Sequence, residues 1–214
     1  YDPFDEYPNS PGHDVDDGHG THTIGTMIGH DPSGAYYGFD PYAGQSISYT
    51  GTITAGVAPG AAWIAARGWG NDNVSQSALL SAVEWMIAPC PIGVDPDPTD
   101  QNSLCNPDKR PHVVNNSWST EIVHVGALRA SGILPAVSAG NSGGHPSVFC
   151  NLSRGAANPG SFSSGASFEG SLRPWSSRGP GSQEQSPDPP LIQTNEFKPN
   201  VVAPGSQVIS TVPY

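Results

Sequence analysis

Between residues 62 and 138 short apolar runs alternate with helical patterns, and that alternation constrains the fold more than any other feature of the chain. Ala62-Trp63-Ile64-Ala65-Ala66 is an apolar run entered from a Pro-Gly turn and followed by Arg67-Gly68, which predicts a buried strand. From Asn73 to Ile87 the apolar residues Leu79, Leu80, Val83, Met86 and Ile87 follow helical spacing. Asn73 is placed to cap that helix, and Gln76 stands three residues later as in a capping box. His112 to Asn116 predicts a second strand. Ile122 to Ala130 predicts a helix closed by Gly132, and Ile133 to Ser138 a third strand. Strand, helix, strand, helix, strand at these lengths makes right-handed βαβ units and hence an α/β fold with a parallel sheet. Further short strands are expected near 161–168, 200–203 and 207–211, with loops and short strands over 30–56. The 214 residues suffice for one domain with a core, and neither a linker nor an internal repeat divides them.

In such a sheet ligands bind outside the carboxyl ends of the strands. Asn115-Asn116-Ser117-Trp118-Ser119 leaves the second strand there, and Ser138-Ala139-Gly140-Asn141-Ser142-Gly143 leaves the third. An amide in a glycine-rich loop at a strand end suits donation to a developing oxyanion, so Asn141 is a candidate for that role; its plainer reading is a turn residue. The second candidate is Asp17-Gly18-His19-Gly20-Thr21-His22, which opens a helix expected over Gly20 to Ile28 whose small residues imply close packing. A histidine there can serve as general base, and His13, His19 and His22 together can hold a metal. The sequence lacks the Glu of an H-E-x-x-H site.

Charge and cysteines narrow the partners. With 8 basic and 19 acidic residues the net charge is −11, which argues against nucleic acid and anionic membranes. No apolar run has the length of a membrane span. Cys90 and Cys105 bracket a Pro/Asp-rich insertion and can pair with each other, leaving Cys150 over. Asn73-Val74-Ser75, Asn115-Asn116-Ser117 and Asn151-Leu152-Ser153 fit the N-glycosylation pattern.

Five segments, in order along nearly the whole chain, resemble the subtilisin-like serine peptidases. They are His19 to Thr26, Gly56-Val57-Ala58-Pro59-Gly60-Ala61, Ser138 to Gly143, Ser176-Ser177-Arg178-Gly179-Pro180, and Lys198-Pro199-Asn200-Val201-Val202-Ala203-Pro204-Gly205. The insertion and Val113 to Trp118 are most similar to the bacillopeptidase F type of that family. The resemblance implies a subtilisin-like three-layer α/β/α fold with a mainly parallel sheet, and peptide-bond cleavage through an acyl-enzyme. His19 becomes the general base of a Ser-His-Asp triad, with His22 structural, and Asn141 the oxyanion donor. Ser117, Trp118 and Ser119 become the strand that pairs with a polypeptide substrate. It further implies a secreted monomer that needs no cofactor; calcium sites are common in the family, but no ligand set is assigned here.

The sequence departs from that pattern in three places. Residues 1–18 hold no apolar strand followed by Asp-Ser/Thr-Gly; Asp14, Asp16 and Asp17 lie in a loop too near His19. No Gly-Thr-Ser-Met-Ala motif follows residue 205, and only Thr120-Glu121 stand where a glycine-rich pocket wall is expected. The expectation is therefore a partial domain over 1–214, truncated at both ends and inactive by itself. The alternative is a degenerate subtilase fold that binds peptides or proteins without cleaving them.

Overall fold

The computed structural model describes residues 18–30, 35–40, 45–50, 56–66, 69–70, 73–74, 76–118, 124–143, 151–179, 197–206, 208 and 210–211. They fall into two compact units, 18–63 with 208–211, and 64–206.

In the first unit the helix α1 runs His19–Ile28, and β1 (Ala35–Asp40) pairs antiparallel with β2 (Gln45–Thr50). The small residues of α1 have the expected consequence. Gly25 is buried, and a Cβ there would meet Thr211 Oγ1 at 2.3 Å and the Thr211 backbone nitrogen at 2.5 Å, so residues 210–211 cross the helix where it has no side chain. The Thr211 hydroxyl donates to the Thr21 carbonyl at 2.6 Å, and the Ser210 hydroxyl to the carbonyl of His22. The segment after Gly56 closes the other end. Val57 N–H donates to Thr26 O at 3.2 Å, Ala58 N–H to Met27 O at 2.8 Å, and Gly29 N–H to Gly25 O at 2.8 Å. Three of the four carbonyls that a helix end leaves orphaned thus find backbone donors.

In the second unit β3 (Trp69–Gly70) and β4 (Asn73–Val74) form a small antiparallel pair, followed by α2 (Gln76–Ile87). Then come β5 (Val113–Asn116), α3 (Val125–Ala130), β6 (Leu134–Ser138), α4 (Arg154–Ala157), β7 (Phe162–Phe168), β8 (Ser171–Leu172) and β9 (Val201–Pro204). β5, β6, β7 and β9 run parallel, in that order across the sheet, while β8 folds back antiparallel on the end of β7. The core under this sheet is Val125 and Leu128 of α3, with Ile133 and Val137 around β6 and Ala156 of α4, all nearly inaccessible. The parallel α/β architecture expected from the alternating pattern is what forms.

Three local expectations are corrected. Residues 61–66 form no strand: the apolar run is there, but no partner strand accepts it among the described residues, and Trp63 stays 54% exposed. Asn73 lies not at the start of α2 but in β4, opposite Gly70 in register, and the helix begins three residues later at Gln76. The helix expected from Ile122 is described from Val125, and Gly132 closes it at a φ of 84° as expected. No strand forms at the described residues of 207–211. Residues 1–17, including His13 and the three loop aspartates, lie outside the described residues, as do Ser119 to Val123 and Cys150.

Cys90 and Cys105 are joined in a disulfide. The bridge ties the end of α2 to the insertion, where Trp85 Nε1 donates to Cys90 O at 3.1 Å and Asn106 N–H to Pro89 O at 3.0 Å. Within it the Thr99 hydroxyl and N–H both donate to Asp97 and hold that carboxyl below the ordinary aspartate value. The bridged residues are 15 apart. Replacing both cysteines by serine should therefore lower stability by about 3 kcal/mol in the chain-entropy account. Denaturant unfolding of the oxidised wild type and the double variant checks this, and equal midpoints would contradict it.

Lys198 is buried three residues before β9, where Nζ donates to Ser161 O at 2.7 Å and Asn200 Oδ1 at 2.9 Å. Asn200 Oδ1 also accepts from Ser163 N–H at 2.8 Å, so a buried cation and one amide pin the start of β9 to β7.

Candidate active site

His19 is the first residue of α1. Gly18 before it has a φ of 81°, a left-handed conformation that glycine adopts without cost, and its carbonyl accepts from His22 N–H at 2.8 Å. The His19 and His22 side chains are both exposed. No group of three His, Cys, Asp or Glu suited to a metal occurs among the described residues.

The sheet brings two other candidates to one edge. Asn116 is opposite Val137 in the β5–β6 register, so Ser117 and Trp118 leave β5 beside the point where Ala139 and Gly140 leave β6. Asn116 is 2% exposed, and its Nδ2 donates to Val114 O at 3.1 Å and Ala136 O at 3.2 Å, stitching the two strands at that edge. Asn115 Nδ2 donates to Ser117 Oγ at 2.9 Å.

Asn141 is exposed, and its side chain makes no hydrogen bond among the described residues. Its loop is firmly held. Gly140 has a φ of 107°. Ser153 donates from its hydroxyl to Ser138 O and from its N–H to Ala139 O, both at 2.7 Å, and accepts from Ala156 N–H as the cap of α4. Over the loop lies the return of the β7–β8 hairpin. Its two-residue turn, Glu169-Gly170, has positive φ at both positions, which suits a type I′ connection. The Arg173 guanidinium stacks 4.1 Å from the Trp175 ring and 5.6 Å from that of Phe168, bracing the hairpin. Beyond it Gly143 N–H donates to Trp175 O at 2.9 Å. A Cβ on Gly143 would lie 1.9 Å from the Ser176 carbonyl oxygen and 2.7 Å from that of Pro174, both backbone. Gly143→Ala should therefore cost about 3 kcal/mol in denaturant unfolding; a wild-type midpoint would mean the approach is looser than this geometry.

Sequence reasoning did not assign roles to Asn116, Asn151, Ser153 or Ser177 at this edge. The glycosylation pattern drew attention to Asn151, but in the fold its amide is spent on the Asn141 loop, with Nδ2 donating to Ser142 O and Oδ1 accepting from Arg178 N–H.

The chain has known counterparts. The model of the subtilase family matches residues 2–213. The chain belongs to the subtilase family. It is 32% identical over 209 residues to bacillopeptidase F of Bacillus subtilis (strain 168), with 91% of the chain aligned to 12% of that protein. Among solved structures, the prenylagaramide maturation protease PagA has a TM-score of 0.52 at 16% identity, covering 92% of this chain and 55% of that one. The S41 psychrophilic protease has a TM-score of 0.51 at 21% identity, covering 91% and 54%. These two show the shared fold. This subtilase chain thus spans about an eighth of the curated relative's length and just over half that of the solved structures. No helix among the described residues is long and apolar enough to cross a membrane.

Proposed function

We propose that these 214 residues are part of a serine endopeptidase, with His19 as general base and Asn141 as oxyanion donor. The observation that carries the reading is Asn141: an exposed amide, free of hydrogen bonds among the described residues, at the carboxyl end of a central parallel strand on a loop tied down from below. A donor needed by a transition state must not be committed in the ground state, and must need no reorganisation when charge develops. Ser117 and Trp118 leave the neighbouring strand at the same edge, and with Ser119 would pair with an extended substrate backbone. The reaction would run through an acyl-enzyme on a serine contributed from outside these residues; His19 would take the serine's proton and give it to the leaving amine, then take a proton from the attacking water and give it to the serine as the acyl bond breaks. The 1–214 segment is then a partial peptidase domain. A disulfide suits an oxidising, extracellular setting for it.

The test is labelling of the full-length protein by a fluorophosphonate, together with hydrolysis of an unfolded polypeptide. Labelling with hydrolysis supports the reading. A folded protein that binds peptides but neither labels nor cleaves would replace it with the degenerate, binding-only alternative.

A further inference from the structure

Three successive peptide groups of the Asn141 loop are each gripped by residues distant in sequence. The peptide before Asn141 is held through the Gly140 carbonyl, which accepts from Ser177 N–H at 2.9 Å. The peptide after it is held through Ser142 N–H, which donates to Ser177 Oγ at 3.0 Å. The next is held at both ends, with the Ser142 carbonyl accepting from Asn151 Nδ2 and Gly143 N–H donating to Trp175 O. Ser177 therefore grips both peptide planes that flank Asn141, one with its backbone and one with its hydroxyl. Those two planes define the φ and ψ of Asn141, and hence the direction in which its side chain leaves the chain.

Ser177 itself is fully buried, while Asn141 is exposed. Asn151 is anchored in turn, because its N–H donates to Arg178 O at 3.1 Å and its Oδ1 accepts from Arg178 N–H at 3.0 Å. The Ser177-Arg178 segment and Asn151 thus make one brace on the loop. We infer that Ser177 and Asn151 are positioning residues that preset the Asn141 amide toward the oxyanion. The inference rests on the reading of Asn141 given above. Neither residue touches substrate; both act through Asn141, and a donor held in place gains more from its hydrogen bond to a developing charge than one that must first be ordered.

The test uses the full-length protein with Ser177→Ala, Asn141→Ala and the double variant. In Ser177→Ala the Ser142 amide should exchange with solvent about fivefold to tenfold faster, the size of one neutral hydrogen bond, with the β6 amides unchanged. The value of kcat should fall by about tenfold at constant KM, and the same substitution on the Asn141→Ala background should cause no further loss. An equal fall on both backgrounds overturns the inference, as does a wild-type kcat in Ser177→Ala beside a depressed one in Asn141→Ala. If Asn141→Ala itself keeps a wild-type kcat, the oxyanion reading fails and the catalytic role of the brace fails with it. Should Ser177→Ala not fold, Asn151→Asp replaces it. That variant keeps the acceptor for Arg178 N–H and puts a carboxylate oxygen in place of the donor to Ser142 O, so it should show the same kcat pattern on the two backgrounds, and a wild-type kcat overturns the inference.

Discussion

Replacing His19 by alanine in the full-length protein should lower kcat for peptide hydrolysis by on the order of 10⁶-fold, as for the triad histidine of a subtilisin. The loss is that large because triad members act as a unit: without a base the serine hydroxyl is a poor nucleophile, and the leaving amine has no proton donor. Stability should hardly change. The His19 side chain is exposed, and the register of α1 is set by other groups, namely the crossing of Thr211 over Gly25 and the backbone donors of Gly29, Val57 and Ala58 at the helix end. His22→Ala is the control. Its side chain is also exposed, while the contacts at that position are made by its carbonyl, which accepts from Ser210 and Thr26. It should fold and keep most activity. If instead His22→Ala abolishes turnover and His19→Ala does not, the base has been assigned to the wrong histidine. Steady-state kinetics with urea unfolding on both variants decides this.

Asn141→Ala should lower kcat by about 10²–10³-fold, the range known for removal of one oxyanion donor from a subtilisin. The effect should fall on kcat and leave KM nearly unchanged, because the donated bond is strong only once negative charge has formed. Unfolding free energy should stay within about 0.5 kcal/mol of wild type, since the side chain is exposed and makes no hydrogen bond among the described residues. Asn141→Asp should be no better than alanine, as its carboxylate cannot donate and would face a like charge. A rise in KM at constant kcat would instead make Asn141 a ground-state binding residue. Loss of stability with both parameters altered would reduce it to a loop-forming turn residue.

Much of the fold was legible because its signals are local. The helical run in α1, the apolar runs of β5 and β6 and the closing glycine of α3 each depend on neighbours within about four residues, where periodicity and capping operate. Local signals failed where pairing decided the outcome. Ala62 to Ala66 has strand composition but no partner strand among the described residues, and Asn73 exchanged a helix cap for a backbone pairing with Gly70. The short α4 went unread although Ser153 caps it, because one turn shows no periodicity. The β7–β8 hairpin went unread because Glu-Gly is a weaker turn signal than Asn-Gly or Asp-Gly.

The candidate site divides the same way. The sequence by itself determined the residue types: a histidine at a helix start, an asparagine after a strand, glycines at 140 and 143, and the family those segments mark. Only the tertiary structure decided what holds the asparagine. Ser177 lies 35 residues from Ser142, and Arg178 lies 27 from Asn151. Contacts at such separations leave no periodic trace in the sequence. They exist because the parallel sheet sets β6 beside β7 and the β7–β8 hairpin then folds back over the Asn141 loop, where buried backbone groups must find partners.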